Sequence, residues 1–384
     1  MADSSMQQNH LDLRIISVAF LRLILCALVG LVAAGQVAAQ SSSEWPLTNF
    51  DKRSVELNEI MSGGPPRDGI PPIDMPEFQP PSKAAMWLGE NEPVILFSHK
   101  EDVRAYPLQI MTYHEIVNDT VGDRAVAVTF CPLCNASIVF DSTVDGQVLD
   151  FGTTGRLRMS DLVMYDRQTE SWWQQFTGTG IIGEYTDTVL TQLPSQIVSF
   201  ASAREAFPTL KVLSKNTGYQ RPYGNNPYAG YDSIDSSPFL YRGEVDTRLP
   251  PMERVLSVPH AEGITLVPFA VIEDNPVMLL NDDEPAVVVI ASDRANSALD
   301  KSDIAGSRLV PSAAAFHAVV GDQSLTFEWQ EGQIQDKETG STWNSFGVAT
   351  AGELTGAVLQ QVDHGVHFAF AWLAFDPDAE VYQP

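Results

Sequence analysis

The chain has 384 residues and a formal charge of −26, from 49 Asp and Glu against 23 Lys and Arg. So acidic a surface repels phosphate backbones and anionic headgroups, which excludes nucleic acid and anionic membranes as partners. The length exceeds one ordinary domain and suits two, and three cysteines are too few for a disulfide-stapled scaffold.

Arg14 and Arg22 precede an apolar run from Leu23 to Ala34, and the small residues Val37-Ala38-Ala39 follow. This is the pattern of a secretory signal peptide, so residues 1–39 are expected to be removed and the protein exported, to a periplasm or the outside of the cell. The run after Arg22 is short for a membrane span, which needs about 20 residues. No other stretch reads as transmembrane, and an uncleaved anchor from Ile15 is the alternative. Cys26 leaves with the leader, and Cys131 and Cys134 remain.

Residues 40–85 are rich in Ser, Pro and Gly, with Gly63-Gly64-Pro65-Pro66 and Pro71-Pro72, and are expected to form an extended arm with little regular structure. Residues 86–221 carry a folded lobe. Its strand-type runs are Val94 to Phe97, Ala125 to Phe130, Ala136 to Asp141, Val148 to Phe151 and Leu162 to Tyr165, with a turn at Val144-Asp145-Gly146. Ala201 to Ala206 reads as a helix stopped by Pro208. Residues 222–252 form a loop-like linker, and residues 253–384 a second lobe with a helix near Ala369 to Phe375.

The second lobe repeats the first. Asp166-x-x-Thr169-x-Ser171-x-Trp173 returns as Asp336-x-x-Thr339-x-Ser341-x-Trp343, and Gly178, Gly183 and Leu190 meet Gly347, Gly352 and Leu359. The expected fold is therefore β-rich α+β: two similar lobes from an internal duplication, each sandwich- or barrel-like. No sustained alternation of strand and helix supports a doubly wound parallel sheet. Asp, Thr and Ser at the repeated spacing suit a turn braced by side-chain hydrogen bonds, with the Trp filling the core.

Chemistry is expected where the copies differ. Only the first holds His114-Glu115-Ile116-Val117-Asn118-Asp119 and Cys131-Pro132-Leu133-Cys134-Asn135. Two thiols at this spacing chelate a soft metal, cycle between thiol and disulfide, or close into an inert bridge. A hairpin turn at Val121-Gly122-Asp123 would bring His114 against the thiols as a third ligand. Glu115, Asn118, Asp119, Asn135 and Gln174 would then form the surrounding shell or line a pocket. Met159 and Met164 read as core fillers, and His364 and His367 as structural or surface residues. The chain has no G-x-S-x-G elbow, phosphate-binding glycine loop or H-E-x-x-H, and no dinucleotide fingerprint in which a strand leads through the glycines into a helix, so no nucleotide cofactor is expected.

Further motifs follow one another in a fixed order. Asp68-Gly69-Ile70-Pro71-Pro72-Ile73 and Arg104-Ala105-Tyr106-Pro107 precede the histidine and cysteine motifs. Phe151-Gly152, Ser160-Asp161, Met164-Tyr165-Asp166 and Thr169-x-Ser171-x-Trp173-x-Gln175 follow them. In this order they resemble the bacterial and archaeal family catalogued as domain of unknown function 3179, over roughly Asp68 to Tyr231. The resemblance implies an exported protein, often a lipoprotein in that family, and implies no activity. The second lobe is similar to a weaker copy without the histidine and cysteine motifs.

The leading expectation is an exported protein with a soft-metal site, copper ahead of zinc, formed by Cys131, Cys134 and His114. The alternatives are a thiol–disulfide oxidoreductase with Cys131 as the attacking thiol, and a non-enzymatic module with a fixed bridge that binds a glycan or an exported protein partner.

Overall fold

The computed structural model describes residues 43–260, 263–280 and 285–384. The leader-like segment, with Cys26, lies outside these residues. The chain divides at Asn49, and the unit from Phe50 to Pro384 carries the strands and helices of the arm and both lobes.

The arm carries strands β1 (Ile60–Ser62) and β2 (Phe78–Gln79) and one helical turn, α1 (Pro81–Ala84), which starts on proline as helix first turns allow. The first lobe runs β3 (Pro93–His99), β4 (Asp102–Pro107), α2 (Leu108–His114), β5 (Ile116–Val121), β6 (Arg124–Cys131) and β7 (Ala136–Asp141). A small hairpin of β8 (Thr143–Val144) and β9 (Gln147–Val148) follows. Then come β10 (Phe151–Arg158), β11 (Asp161–Asp166), β12 (Trp172–Gln174), β13 (Thr179–Ile182), β14 (Gln192–Leu193), β15 (Gln196–Ser199), α3 (Phe200–Ala206) and β16 (Lys211–Leu213).

After a linker without strands or helices, the second lobe repeats that order. It runs β17 (Arg254–His260), β18 (Gly263–Pro268), α4 (Phe269–Asp274), β19 (Val277–Leu279), β20 (Val287–Asn296) and β21 (Leu309–His317). The small hairpin returns as β22 (Val319–Val320) and β23 (Gln323–Ser324). It is followed by β24 (Phe327–Gln330), β25 (Gln333–Asp336), β26 (Thr342–Trp343), β27 (Ala349–Ala351), β28 (Gly365–Phe368), α5 (Ala369–Phe375) and β29 (Glu380–Val381).

The sheets correspond as well. Order β15-β3-β4-β16 in the first lobe matches β28-β17-β18-β29 in the second, and in both the last strand joins in parallel to an otherwise antiparallel set. β5-β6-β7 matches β19-β20-β21, and β10 to β13 match β24 to β27. The protein is thus β-rich α+β with two similar lobes, and none of its sheets closes into a barrel. The arm is less bare than its composition implies, because β1 pairs with β10 and β2 with β16, so both borrow ladder partners from the first lobe.

Continuous apolar runs make the central strands. Val94 to Phe97 in β3 and Val126 to Cys131 in β6 are buried on both faces. The expected strand from Val148 is split, since β9 ends at Val148 and β10 begins at Phe151. Helix α3 starts at Phe200 because Ser199 Oγ accepts from Ser202 N–H at 3.1 Å, an N-cap.

The core of the first lobe is not built from that lobe alone. Phe368, Phe370 and Ala371 of the second lobe are buried in it, and linker residues Tyr223, Tyr228, Tyr231 and Tyr241 pack against it. At the junction, Phe368 N–H donates to Cys134 O at 2.9 Å.

Candidate functional site

Two hairpins of the first lobe converge on the cysteines. Strands β5 and β6 turn at Gly122, which has φ 61°, and pair in register Ile116 to Thr129. One step further, Phe130 N–H donates to Glu115 O at 2.8 Å, so Glu115 stands beside the end of β6, where Cys131 follows. Cys131 to Cys134 then make the tight turn into β7, with Asn135 at φ 50° and Ala136 paired to Cys131. Asn adopts this left-handed backbone more readily than other non-glycine residues, which accounts for Asn135 without a ligand role. The second hairpin, β10 to β11, turns on Met159 and Ser160, both at positive φ, and delivers Asp161 at the start of β11.

Both thiols are free and buried, and Asp161 is fully buried. The two Sγ atoms and a carboxylate oxygen of Asp161 lie within 4.8 Å of one another. Asp161 Oδ2 accepts from Gln174 Nε2 at 2.6 Å and from Phe176 N–H at 2.9 Å, while its Oδ1 has no N–H or O–H partner. Gln174, a member of the expected shell, therefore reaches the site, and it does so by orienting the carboxylate.

The electrostatics are those of acids crowded in a dry place. Burial, and then the charge of Asp161, push the Glu115 carboxyl up to about 8. Burial raises Asp161 to about 6, against the opposing hydrogen bonds of Gln174 and Phe176. Burial raises the Cys131 thiol, with Asp161 and Glu115 adding to it against a hydrogen bond from Cys134, and it raises Cys134 well above its ordinary value. No cationic side chain is among the groups that shift these four.

His114 is not in the cluster, and the expectation of an imidazole ligand is corrected here. Its Nδ1 lies 2.6 Å from Pro71 O and its Nε2 2.6 Å from Tyr223 OH, so both ring nitrogens are taken. The cause is local. His114 ends α2, and Glu115 behind it has φ 60°, a reversal that turns the ring toward the arm and linker. The hairpin forms as expected and brings the neighbouring carboxylate to the thiols instead.

Asn118 and Asp119 do not reach the thiols either. Asn118 clips β5 to β10, donating to Phe151 O and accepting from Phe151 N–H, and also donates to Asp74. Asp119 is paired with Arg104 at 2.6 Å and accepts from Tyr106 OH.

In sequence, Asp161 belongs to the Ser160-Asp161 motif and is not among the expected site residues. At the offset of 170 residues between the repeated Asp166 and Asp336 it falls opposite Glu331, so comparison of the copies does not single it out. In the structure Glu331 is an exposed turn residue and β25 begins at Gln333. The linker tyrosines pack back on the first lobe. Tyr231 OH donates to Leu133 O at 3.0 Å, and burial, followed by the charges of Glu115 and Cys131, raises the Tyr228 hydroxyl.

Beside the cluster lies a cleft of about 140 Å³. Its inner wall includes Glu115, Leu133 and Leu162, the last two adjacent in sequence to the thiols and to Asp161. Tyr228 and Phe239 of the linker line it as well.

A family model described as protein of unknown function (DUF3179) matches residues 67–379, and so takes in the second lobe together with the motif-bearing first. No curated protein and no solved structure matches the chain.

Proposed function

The chain belongs to the family described as protein of unknown function (DUF3179), and we propose that it is an exported metal-binding protein whose ion is held by Cys131, Cys134 and Asp161. One observation carries this reading. Two thiols and a carboxylate converge in a buried place, a second buried carboxyl stands nearby, and no cationic side chain is among the leading causes that shift them. Buried acids are costly when ionised unless paired or bound to metal, so a cluster of acids alone fits either protons or a metal ion. The surplus of acceptors points the same way, since Asp161 Oδ1 and Gln174 Oε1 are buried with no N–H or O–H donor, and the thiols are the donors that Asp161 has on that side.

The donor set bears on the ion. Two thiolates and a carboxylate suit zinc, which accepts sulfur and oxygen together, whereas copper(I) prefers soft ligands throughout. With His114 engaged elsewhere, zinc moves ahead of copper. Three protein ligands are also the number found in catalytic zinc sites, while structural ones take four. Export rests on the leader-like segment. Among the described residues no helix is long and apolar enough to cross a membrane.

The test is elemental analysis of the purified chain after loading with zinc or copper(I). About one ion per chain is expected, falling below about 0.1 in the Cys131→Ser/Cys134→Ser variant and dropping sharply in Asp161→Asn. A wild-type content under about 0.1 for both metals ends the reading. The nearness of the two free sulfurs would then favour the thiol–disulfide alternative, read by thiol titration across a redox series.

A further inference from the structure

The buried carboxyl of Glu115 has no use in the metal set proposed above, and its surroundings specify something else. The residue is 6% exposed, yet its carboxyl meets no hydrogen-bond donor and no cationic side chain among the described residues. Its exposure is spent on the cleft, whose inner wall it forms with Leu133 and Leu162. A buried polar group without a partner forgoes the free energy of its hydrogen bonds, on the order of 1–3 kcal/mol. Here the missing partner has a place to sit.

The size and walls of the place narrow the occupant. The cleft measures about 140 Å³, close to the roughly 150 Å³ of a cavity that accommodates benzene. Two aromatic rings, Tyr228 and Phe239, stand on its linker side. Aromatic faces and a carboxylate around a small space attract an organic cation, through the ring quadrupole and through the charge. Arg156 also lines the cleft and opposes a cation. Glu115 lines the same cleft, and Asp161 stands behind it, near enough for its charge to bear on Glu115. With a divalent ion on two thiolates and one carboxylate the cluster carries net charge −1; without metal the raised thiols and Glu115 hold protons, and the ammonium group displaces the proton of Glu115 when it binds.

We infer that this cleft binds a small organic ammonium compound of about benzene size, with its ammonium group on Glu115 and its apolar part between the linker aromatics and Leu162. The inference goes beyond metal binding and stands without it. It gives the protein a small-molecule site formed jointly by the first lobe and the linker.

Three probes of one shape test it on the full chain: benzylamine, benzyl alcohol and benzoate, followed by ligand-observed NMR and calorimetry with zinc-loaded and chelator-treated protein. Benzylamine is expected to bind in both states, more tightly than the alcohol, with benzoate not binding. Glu115→Gln, nearly isosteric, should weaken benzylamine about tenfold or more while leaving the alcohol within about twofold. Phe239 is 54% exposed, so Phe239→Ala will fold, and it should weaken benzylamine by about threefold. The inference is overturned if benzylamine shows no binding up to about 10 mM, or if the alcohol or benzoate binds as well as the amine. Unchanged amine affinity in Glu115→Gln overturns it too. Should that variant fail to fold, the probe series on the wild type and on Phe239→Ala still decides. Loss of metal binding with amine binding kept would sink the metal reading alone.

Discussion

Glu115 and Asp161 are the residues whose protons tie the site to stability. Each is raised from an ordinary carboxyl value, 4.5 to about 8 for Glu115 and 3.8 to about 6 for Asp161, with burial the first cause in both. A group whose folded value lies above its unfolded one holds its proton more tightly in the folded chain. Its stabilisation is complete below the unfolded value and is lost as pH rises through the folded one. The metal-free protein should therefore lose a few kcal/mol between about pH 4 and pH 8. Metal reverses the trend, because ligands must shed protons to bind and affinity grows with pH. Urea denaturation of chelator-treated protein at pH 5 and pH 8 checks this: Glu115→Gln should lose less stability across the interval than the wild type. Equal losses would mean that Glu115 titrates like an exposed carboxyl. The neighbouring His114 shows how residue-scale reading goes astray. A hairpin between the two motifs was legible from Gly122, but which of two adjacent side chains it turns inward depended on one left-handed backbone angle at Glu115. A glutamate in that conformation leaves no mark in composition or periodicity.

Among the elements, the repeated Asp-x-x-Thr-x-Ser-x-Trp turn does the same structural work twice. Asp166 accepts from Thr169 N–H at 2.6 Å and from Trp173 Nε1 at 2.9 Å. Asp336 accepts from Thr339 N–H at 2.7 Å and from Trp343 Nε1 at 2.9 Å. Ser171 and Ser341 receive Tyr185 N–H and Leu354 N–H in turn, fastening each turn to the loop after β13 or β27, two strands on. The repeated glycines follow from close approach: a Cβ on Gly178 would press on the Phe140 ring, and one on Gly347 on the Phe316 ring. This much was legible, because hydrogen-bonding residues at fixed spacing state their own geometry. Helix α2 was not. Leu108 to Thr112 are buried all round, so no polar face marks a helical period. The two turns should respond differently to the same change. Asp336→Ala strands a buried indole N–H and should cost about 2–3 kcal/mol by denaturation with metal content unchanged. Asp166→Ala should cost as much and also lower metal content, because β11 begins at Asp161 and ends at Asp166. Equal metal content in both variants would show that the turn does not position the ligand.

At the scale of the molecule the two lobes are alike in order and unlike in duty. Where the first has the short turn Pro132 to Asn135 between its strands, the second has the long loop from Ser297 to Arg308 between β20 and β21. That loop is spent on holding the linker. Asn226 N–H donates to Ser302 O and Gly230 N–H to Asp300 O, and buried Asp232 is paired with Arg254 and Arg308 at 2.7 and 2.8 Å. The linker held this way carries Tyr228 and Phe239 to the cleft and Tyr231 to Leu133 O. The second lobe also closes the back of the site, since Phe368 N–H satisfies Cys134 O and Phe176, which follows the Gln174–Gln175 pair, packs on His367 and Trp372. Sequence alone read the second copy as a buttress, and could not show that it completes the first lobe's core, because contacts between copies have no period. A chain ending at Pro250 therefore leaves Cys134 O without its donor, exposes the faces that Phe368, Phe370 and Ala371 cover, and frees Asp232 of both arginines. Removing a partner from a buried ion pair alone costs about 3–5 kcal/mol, comparable to the stability of many whole domains. The truncated chain should show no cooperative melting transition and should react with a thiol reagent at both cysteines without denaturant, whereas the full chain protects them. A truncated chain that melts cooperatively with its thiols still protected would make the first lobe an independent domain and the second an appendage.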